Sequence, residues 1–262
     1  MVEAVRILGI VAVATVVAGC GGSSVAPASP SPSGRASTLT GPLTVLAAAS
    51  LTEAFTDARK ALEAGNPGLA ITDSFAGSQQ LVSQIQSGAP ADVVATADQA
   101  SITTLASAGL VDTPTVFAHN TLEIVVAPGN PRGVRGLADL ARPDLIVVLE
   151  DPSVPAGKFA RQALQKAGIT VAPRSLELDV KSELQKVAMG EADAGIVYVT
   201  DVSAAGSRVT GVPIPDGQNV TATYPVAVVK ASRHPAAARA FVGEIVSGAG
   251  QRALRARGFL GP

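Results

Sequence analysis

Tryptophan is absent from the sequence, cysteine occurs once and histidine twice. A lone thiol, Cys20, makes no disulfide within the chain, so nothing staples the fold covalently. His119 and His234 lie far apart and in no metal-ligand spacing, which argues against a zinc or di-iron site. Aromatic residues are only 3% of the chain, so the core has to be built from Ala, Val, Leu and Ile. Neither sign of charge dominates: 20 Lys+Arg against 21 Asp+Glu give a net charge of −1. No basic face follows, and nucleic-acid binding has no compositional support. Apolar residues are abundant, 47% of 262, enough for one large core or two modest ones.

The first forty residues read as address and tether rather than fold. Residues 7–19, ILGIVAVATVVAG, are continuously apolar, too short to span a bilayer comfortably but suited to the hydrophobic region of a signal peptide. Arg6 precedes them, its charge partly offset by Glu3. Val17-Ala18-Gly19-Cys20 resembles a bacterial lipobox, which implies cleavage before Cys20 and lipid on its sulfur. Two or more acyl chains there would anchor a soluble body stably. Residues 21–42 are Ser, Pro, Gly and Ala, with no face to bury, and read as a flexible tether. The expected organisation is a signal peptide over 1–19, a lipidated cysteine and linker over 20–42, and a folded body from Leu43. That body sits on the extracytoplasmic face of the cell membrane, held there by lipid.

From Leu43 onward, short β-rich runs (43–48, 70–75, 93–96, 122–127, 145–149, 195–198 and 226–230) alternate with helical patterns (52–64, 79–87, 102–108, 137–141, 156–167, 181–189 and 235–246). The alternation predicts βαβ units, an α/β fold with parallel sheet, and ligands outside the carboxyl ends of the strands. The joints between strand and helix are therefore the place to look.

Several joints share a design. In LTVLAAASLTEAF (43–55) three alanines leave the backbone open before Ser50, and Ser50-Leu51-Thr52-Glu53 matches a capping box. In ITDSFAGSQQLVSQI (71–85), Gly77 permits close approach and Ser78 offers a hydroxyl at a helix start. In EDPSVPAGKFARQAL (150–164), Pro155 suits a first helical turn and Ala156 and Gly157 present bare N–H groups, with Lys158 read as solvated. In LELDVKSELQKVAMG (176–190), Asp179 suits an N-cap, leaving the N–H groups of Val180 and Lys181 at the helix tip. GEADAGIVYVTDV (190–202) ends a buried strand on Tyr198, whose hydroxyl needs a partner. Hydroxyls and orphan N–H groups at helix starts favour an anion. Without a clear arginine or metal, they suit a fully ionised tetrahedral oxyanion. Hydrogen phosphate is disfavoured because its proton needs an acceptor, unless the Asp179 carboxylate faces inward.

The stretches AAASLTEAF (47–55), SFAGSQQL (74–81), GAPADVVATAD (88–98), DPSVPAGKFARQAL (151–164), GIVYVTD (195–201) and YPVAVV (224–229), in this order, resemble the molybdate-binding proteins of ABC importers. The resemblance implies the type II periplasmic-binding-protein fold: two α/β lobes, residues 43–121 plus 226–262 and residues 122–225. Crossovers near 120–123 and 223–225 would join them, with the ligand in the cleft between. It implies that molybdate or tungstate is held by the Ser50 and Ser78 hydroxyls, the backbone N–H groups of Ala156 and Val180, and the Tyr198 hydroxyl. It further implies no cofactor, no catalysis, molybdenum present only as the oxyanion with no direct protein–metal bond, a monomer, and a membrane permease as partner. Gly77 departs from the pattern, since many relatives carry another hydroxyl residue just before the binding serine.

Other readings are weaker. A serine hydrolase would need a nucleophile elbow, and no G-x-S-x-G occurs. A binder of sulfate, a ferric complex or another anion stays open, because a sequence does not measure a cavity radius. GAGQRA (248–253) fits a dinucleotide pattern but follows a helical run near the C-terminus, and reads as a helix break. Nothing ties the sequon Asn219-Val220-Thr221 to a glycosylating route. The lipobox reading predicts that Cys20→Ala releases the protein from membranes. The check is fractionation of cells expressing either form, and membrane retention of the variant would refute the anchor.

Overall fold

The computed structural model describes residues 39–262; the expected signal peptide, Cys20 and the tether up to residue 38 lie outside the described residues. In chain order the body runs β1 (Gly41–Ala48), α1 (Thr52–Gly65), β2 (Leu69–Ala76), α2 (Ser78–Gln86), β3 (Val93–Ala95), α3 (Gln99–Ser107), β4 (Thr115–Val126), β5 (Val148–Glu150), α4 (Pro155–Ala167), β6 (Ser175–Glu177), α5 (Val180–Ala188), β7 (Ala194–Tyr198), α6 (Val199–Ala205), β8 (Thr210–Pro213), β9 (Thr221–Val228), α7 (Pro235–Ser247) and α8 (Ala249–Ala256). Residues Leu137–Ala141, expected as helix, form only a short 3-10 segment. The body also starts earlier than Leu43. Leu39 is buried, its N–H donates to Asn66 Oδ1 at 2.9 Å, and β1 pairs with β2 from Gly41 onward.

The sheet is mixed, not parallel as expected. β1 pairs in parallel with β2 and β3, but β9 pairs antiparallel with both β3 and β4, and β4 antiparallel with β7 and β8. The reason lies in β4 and β9, which run in opposite directions through the molecule. Residues 115–121 of β4 pair with β9, with an irregularity between Val116 and Ala118. From Leu122 onward β4 changes partners and lies beside β7 and β8. β5 and β6 form a two-stranded ladder that reaches β7 through the Val147–Ala194 bridge. The first halves of β4 and β9 are longer than the apolar runs suggested because they carry polar residues. Asn120 Nδ2 donates to Thr200 Oγ1 at 2.8 Å, and Thr223 Oγ1 meets His119 Nδ1 at 3.2 Å. Asn219, the sequon residue, is spent on the same region: its side chain accepts from the Leu122 N–H at 3.1 Å and donates to the Leu122 carbonyl at 2.9 Å.

Strand periodicity sets the two faces of the first sheet. Val45, Ala47, Val93, Ala95, Val226 and Val228 join one cluster with Phe55 and Phe241, under α1 and α7. Leu46, Val94 and Ala227 alternate to the opposite face and meet Leu81, Ile85, Ile102 and Leu105 of α2 and α3. Helices cover both faces, so these strands read as continuous apolar runs.

Both tyrosines and four of the six phenylalanines form one edge-packed chain. It runs Phe241–Phe55–Phe117–Tyr224, with Tyr198 and Phe259 on Tyr224, at centroid separations from 5.4 to 6.3 Å. Phe117, at the β4 irregularity, is fully buried at its centre. Phe117→Ala should therefore cost about 3–5 kcal/mol. Urea unfolding measures this, and a loss under about 1 kcal/mol would show that the chain of rings does not hold the core.

Candidate functional site

β1 delivers Ala48 into a single 3-10 turn, Ala49–Leu51, and α1 begins only at Thr52. The expected capping box does not form. Ser50 caps nothing: its hydroxyl meets the Tyr224 hydroxyl at 3.0 Å, both buried. Glu53 turns instead to Lys181, whose Nζ lies 2.9 and 2.7 Å from its two carboxylate oxygens. An ammonium outcompetes a neutral backbone N–H for an ionised carboxylate.

At the second joint Gly77, not Ser78, is the N-cap of α2, and Ser78 is its first residue. Ser78 Oγ accepts the Ala97 N–H at 3.0 Å, which leaves the hydroxyl proton free to be donated elsewhere. The glycine has a steric reason: a Cβ at Gly77 would stand 2.5 Å from the Leu178 carbonyl oxygen. That carbonyl accepts from Gln79 Nε2 at 3.0 Å, so a larger residue at 77 would push this contact apart.

α4 starts as the sequence predicts, with Val154 as N-cap, Pro155 first, and the exposed Lys158 directed to solvent. A Cβ on Gly157 would collide with the carbonyl oxygens of Glu150 and Asp151, so only glycine lets α4 sit this close to the end of β5. α5 is capped by Asp179, as expected. Its Oδ1 accepts the Ser182 N–H and its Oδ2 the Ser182 hydroxyl, both at 2.9 Å. That carboxylate is spent on its own helix. Tyr198 ends β7 fully buried, and its hydroxyl has no hydrogen-bond partner among the described residues. Burial pushes the phenol well above its ordinary range, so it stays a donor.

These joints surround one cavity. Ser50, Ser78, Ala156, Val180 and Tyr198, the five residues singled out from the sequence, all line it. The first turns of α2, α4 and α5 line it too, with their unpaired N–H groups and positive dipole ends. Its volume is about 10 Å³, far below the roughly 300–1,000 Å³ of clefts that hold drug-sized ligands. No lysine, arginine or histidine is among its described lining residues. His119 pairs with Thr223, away from the cavity lining. The arrangement can donate hydrogen bonds to a small anion.

Three features were missed by the sequence reading. Tyr224 supports Ser50 from β9; one of only two tyrosines, it stood in YPVAVV with no chemistry assigned. Glu150 lines the cavity, a charged residue closing a buried strand. Lys181 bridges Glu53 at 2.7 Å and the fully buried Asp201 at 2.8 Å. Burial works against the Lys181 charge, but Asp201 and Glu53 outweigh it and hold its ammonium above the ordinary range. Burial raises the Asp201 carboxyl, against the pull of Lys181.

Lys181→Met would strand the buried Asp201 and should cost about 3–5 kcal/mol. In an Asp201→Asn background the same change should cost under about 1 kcal/mol. A double-mutant cycle by urea unfolding checks the pair, and equal costs in both backgrounds would remove it.

The chain matches the family described as bacterial extracellular solute-binding protein over residues 43–260. It is 43% identical to a protein of Mycobacterium tuberculosis named molybdate-binding protein ModA, over 100% of this chain and 97% of that relative. A solved structure described as the substrate binding domain of a putative molybdenum ABC transporter from Clostridium difficile is 28% identical. It superimposes with a TM-score of 0.63, covering 84% of this chain and 99% of that one. The sulfate-binding protein SubI from Mycobacterium tuberculosis reaches a TM-score of 0.72 at 23% identity, over 83% of this chain and 86% of that one, and shares the fold alone. With the two-lobed α/β fold of these proteins and a match across nearly the whole folded body, the chain belongs to the family of bacterial extracellular solute-binding proteins.

Proposed function

We propose that this protein captures molybdate, and tungstate with it, between its two lobes outside the cytoplasm and delivers the anion to an ABC permease. The observation that carries this reading is the convergence of hydroxyls and helix-start N–H groups on one small cavity whose described lining has no cation. Such a lining replaces the hydration shell of a bare dianion without neutralising it. The choice of molybdate over other dianions rests on the 43% identical relative named for it.

The lobes divide as residues 43–121 plus 226–262 and residues 122–225, a division supported by the change of β4 partners at Leu122. Ser50 and Ser78 then serve the ligand from the first lobe. Ala156 and Val180, through backbone N–H, and Tyr198, through its hydroxyl, serve it from the second. Only the closed molecule offers all five donors, so the anion selects the closed state. Each charge-assisted hydrogen bond contributes about 1.5–3 kcal/mol. Several exceed the roughly 8 kcal/mol of a micromolar complex, even after ordering costs. One chain supplies every donor, so the protein acts as a monomer. A lipid on Cys20 keeps it near its membrane partner, and the ligand leaves chemically unchanged.

Isothermal titration of the mature chain should show tight binding of molybdate and tungstate, and weak or undetectable binding of sulfate and phosphate. Equal affinity for sulfate would overturn the ligand while sparing the fold. Ser78→Ala should weaken molybdate binding by about 1.5–3 kcal/mol, roughly ten- to hundredfold. An unchanged constant would take Ser78 out of the site.

A further inference from the structure

The cavity contains a group that capture by hydroxyls and amides does not use. Glu150 ends β5, is 1% exposed, and lines the cavity beside the start of α4. Neither of its carboxyl oxygens makes a well-formed hydrogen bond among the described residues, although the Gly157 N–H stands close enough to favour its charge. No lysine or arginine is paired with it among the described ion pairs. A lone carboxylate removed from water is strongly disfavoured, whereas the neutral acid is not.

The groups that face Glu150 from its neighbours sharpen this. On α5, Glu183 is fully buried; its Oε1 accepts the Ile196 N–H at 2.6 Å and its Oε2 is unpartnered. At the α5 start, Asp179 is occupied by Ser182. On α6, Asp201 is tied to Lys181, which also holds Glu53 of α1. On β7 stands the unpartnered Tyr198 hydroxyl, and from α4 the Gly157 N–H alone favours charge. Burial first, then the negative charges of Glu183, Asp201 and Asp179, push the Glu150 carboxyl well above the ordinary range. Burial pushes Glu183 the same way.

Resting on the reading of this cavity as the anion site, we propose that Glu150 is a ligand-contacting residue whose carboxyl, as the neutral acid, donates a hydrogen bond to the bound oxyanion. The proton stays on Glu150, and no bond is made or broken. The dianion beside it tightens its hold on that proton. Where Glu150 is already protonated, binding is proton-neutral and strongest. Where it has ionised, binding takes up one proton, and affinity falls about tenfold for each further pH unit. An ionised Glu150 would behave oppositely, repelling a dianion and accepting a hydrogen bond from hydrogen phosphate.

The test is isothermal titration of the mature protein with sodium molybdate and with phosphate, from about pH 6 to about pH 9, in buffers of differing ionisation heat. Glu150→Ala should weaken molybdate binding at least about tenfold at about pH 6, and wherever the wild-type Kd rises with pH, proton uptake approaching one per anion should accompany it. Glu150→Gln keeps an N–H donor but cannot titrate, so its Kd should be the same throughout. Glu183→Gln should keep the slope. Molybdate affinity unchanged in Glu150→Ala at about pH 6 overturns the proposal. So does a slope that survives in Glu150→Gln, or phosphate binding that depends on Glu150. Absence of molybdate binding at every pH overturns the ligand reading as well; binding that Glu150→Ala leaves unchanged overturns this inference alone.

Discussion

A helix start buried away from water leaves N–H groups that need an acceptor, and this fold gathers three such starts around a single point. α2, α4 and α5 each present a first turn to the same cavity, and each is preceded by a strand or cap that holds it there. The close approach depends on absent side chains: Gly77 under the Leu178 carbonyl, Gly157 against the end of β5, and the alanines before Ser50. The donors are fixed by the backbone, so they need little reorganisation when a ligand arrives.

β4 and β9 both pass through the first sheet, and from Leu122 onward β4 alone continues beside β7. Tyr224 on β9 ties this junction to the site, since its hydroxyl meets Ser50 while its ring packs on Phe117, Tyr198 and Phe259. Near the cavity, Lys181 links Glu53 to the buried Asp201, and Gln79 reaches the Leu178 carbonyl.

Charge is handled in two ways near the cavity. Lys181 sits behind the lining, neutralising two carboxylates rather than the ligand. Glu150 and Glu183 are buried without a cation, and burial favours their neutral forms. The described lining therefore holds hydroxyl and N–H donors and no cation, with the Lys181 ammonium standing behind it. A scaffold shared with a protein named for sulfate binding shows that the fold by itself does not name an anion.

The sequence alone determined the α/β class, the strand-to-helix joints and the five lining residues, because small residues, serines, a helix-start proline and an N-cap aspartate are local signals read over a few positions. The tertiary structure decided what depends on distant partners. Ser50 abandoned its expected cap for Tyr224, 174 residues away, and Glu53 left it for Lys181, 128 residues away. The polar halves of β4 and β9 pair with each other as strands, and their side chains find partners there: His119 meets Thr223, and Asn120 donates to Thr200 on α6. Glu150 reads in the sequence as an ordinary charged residue. Only burial without a cation among the described residues makes its neutral form the favoured one, and burial is a property of the folded whole.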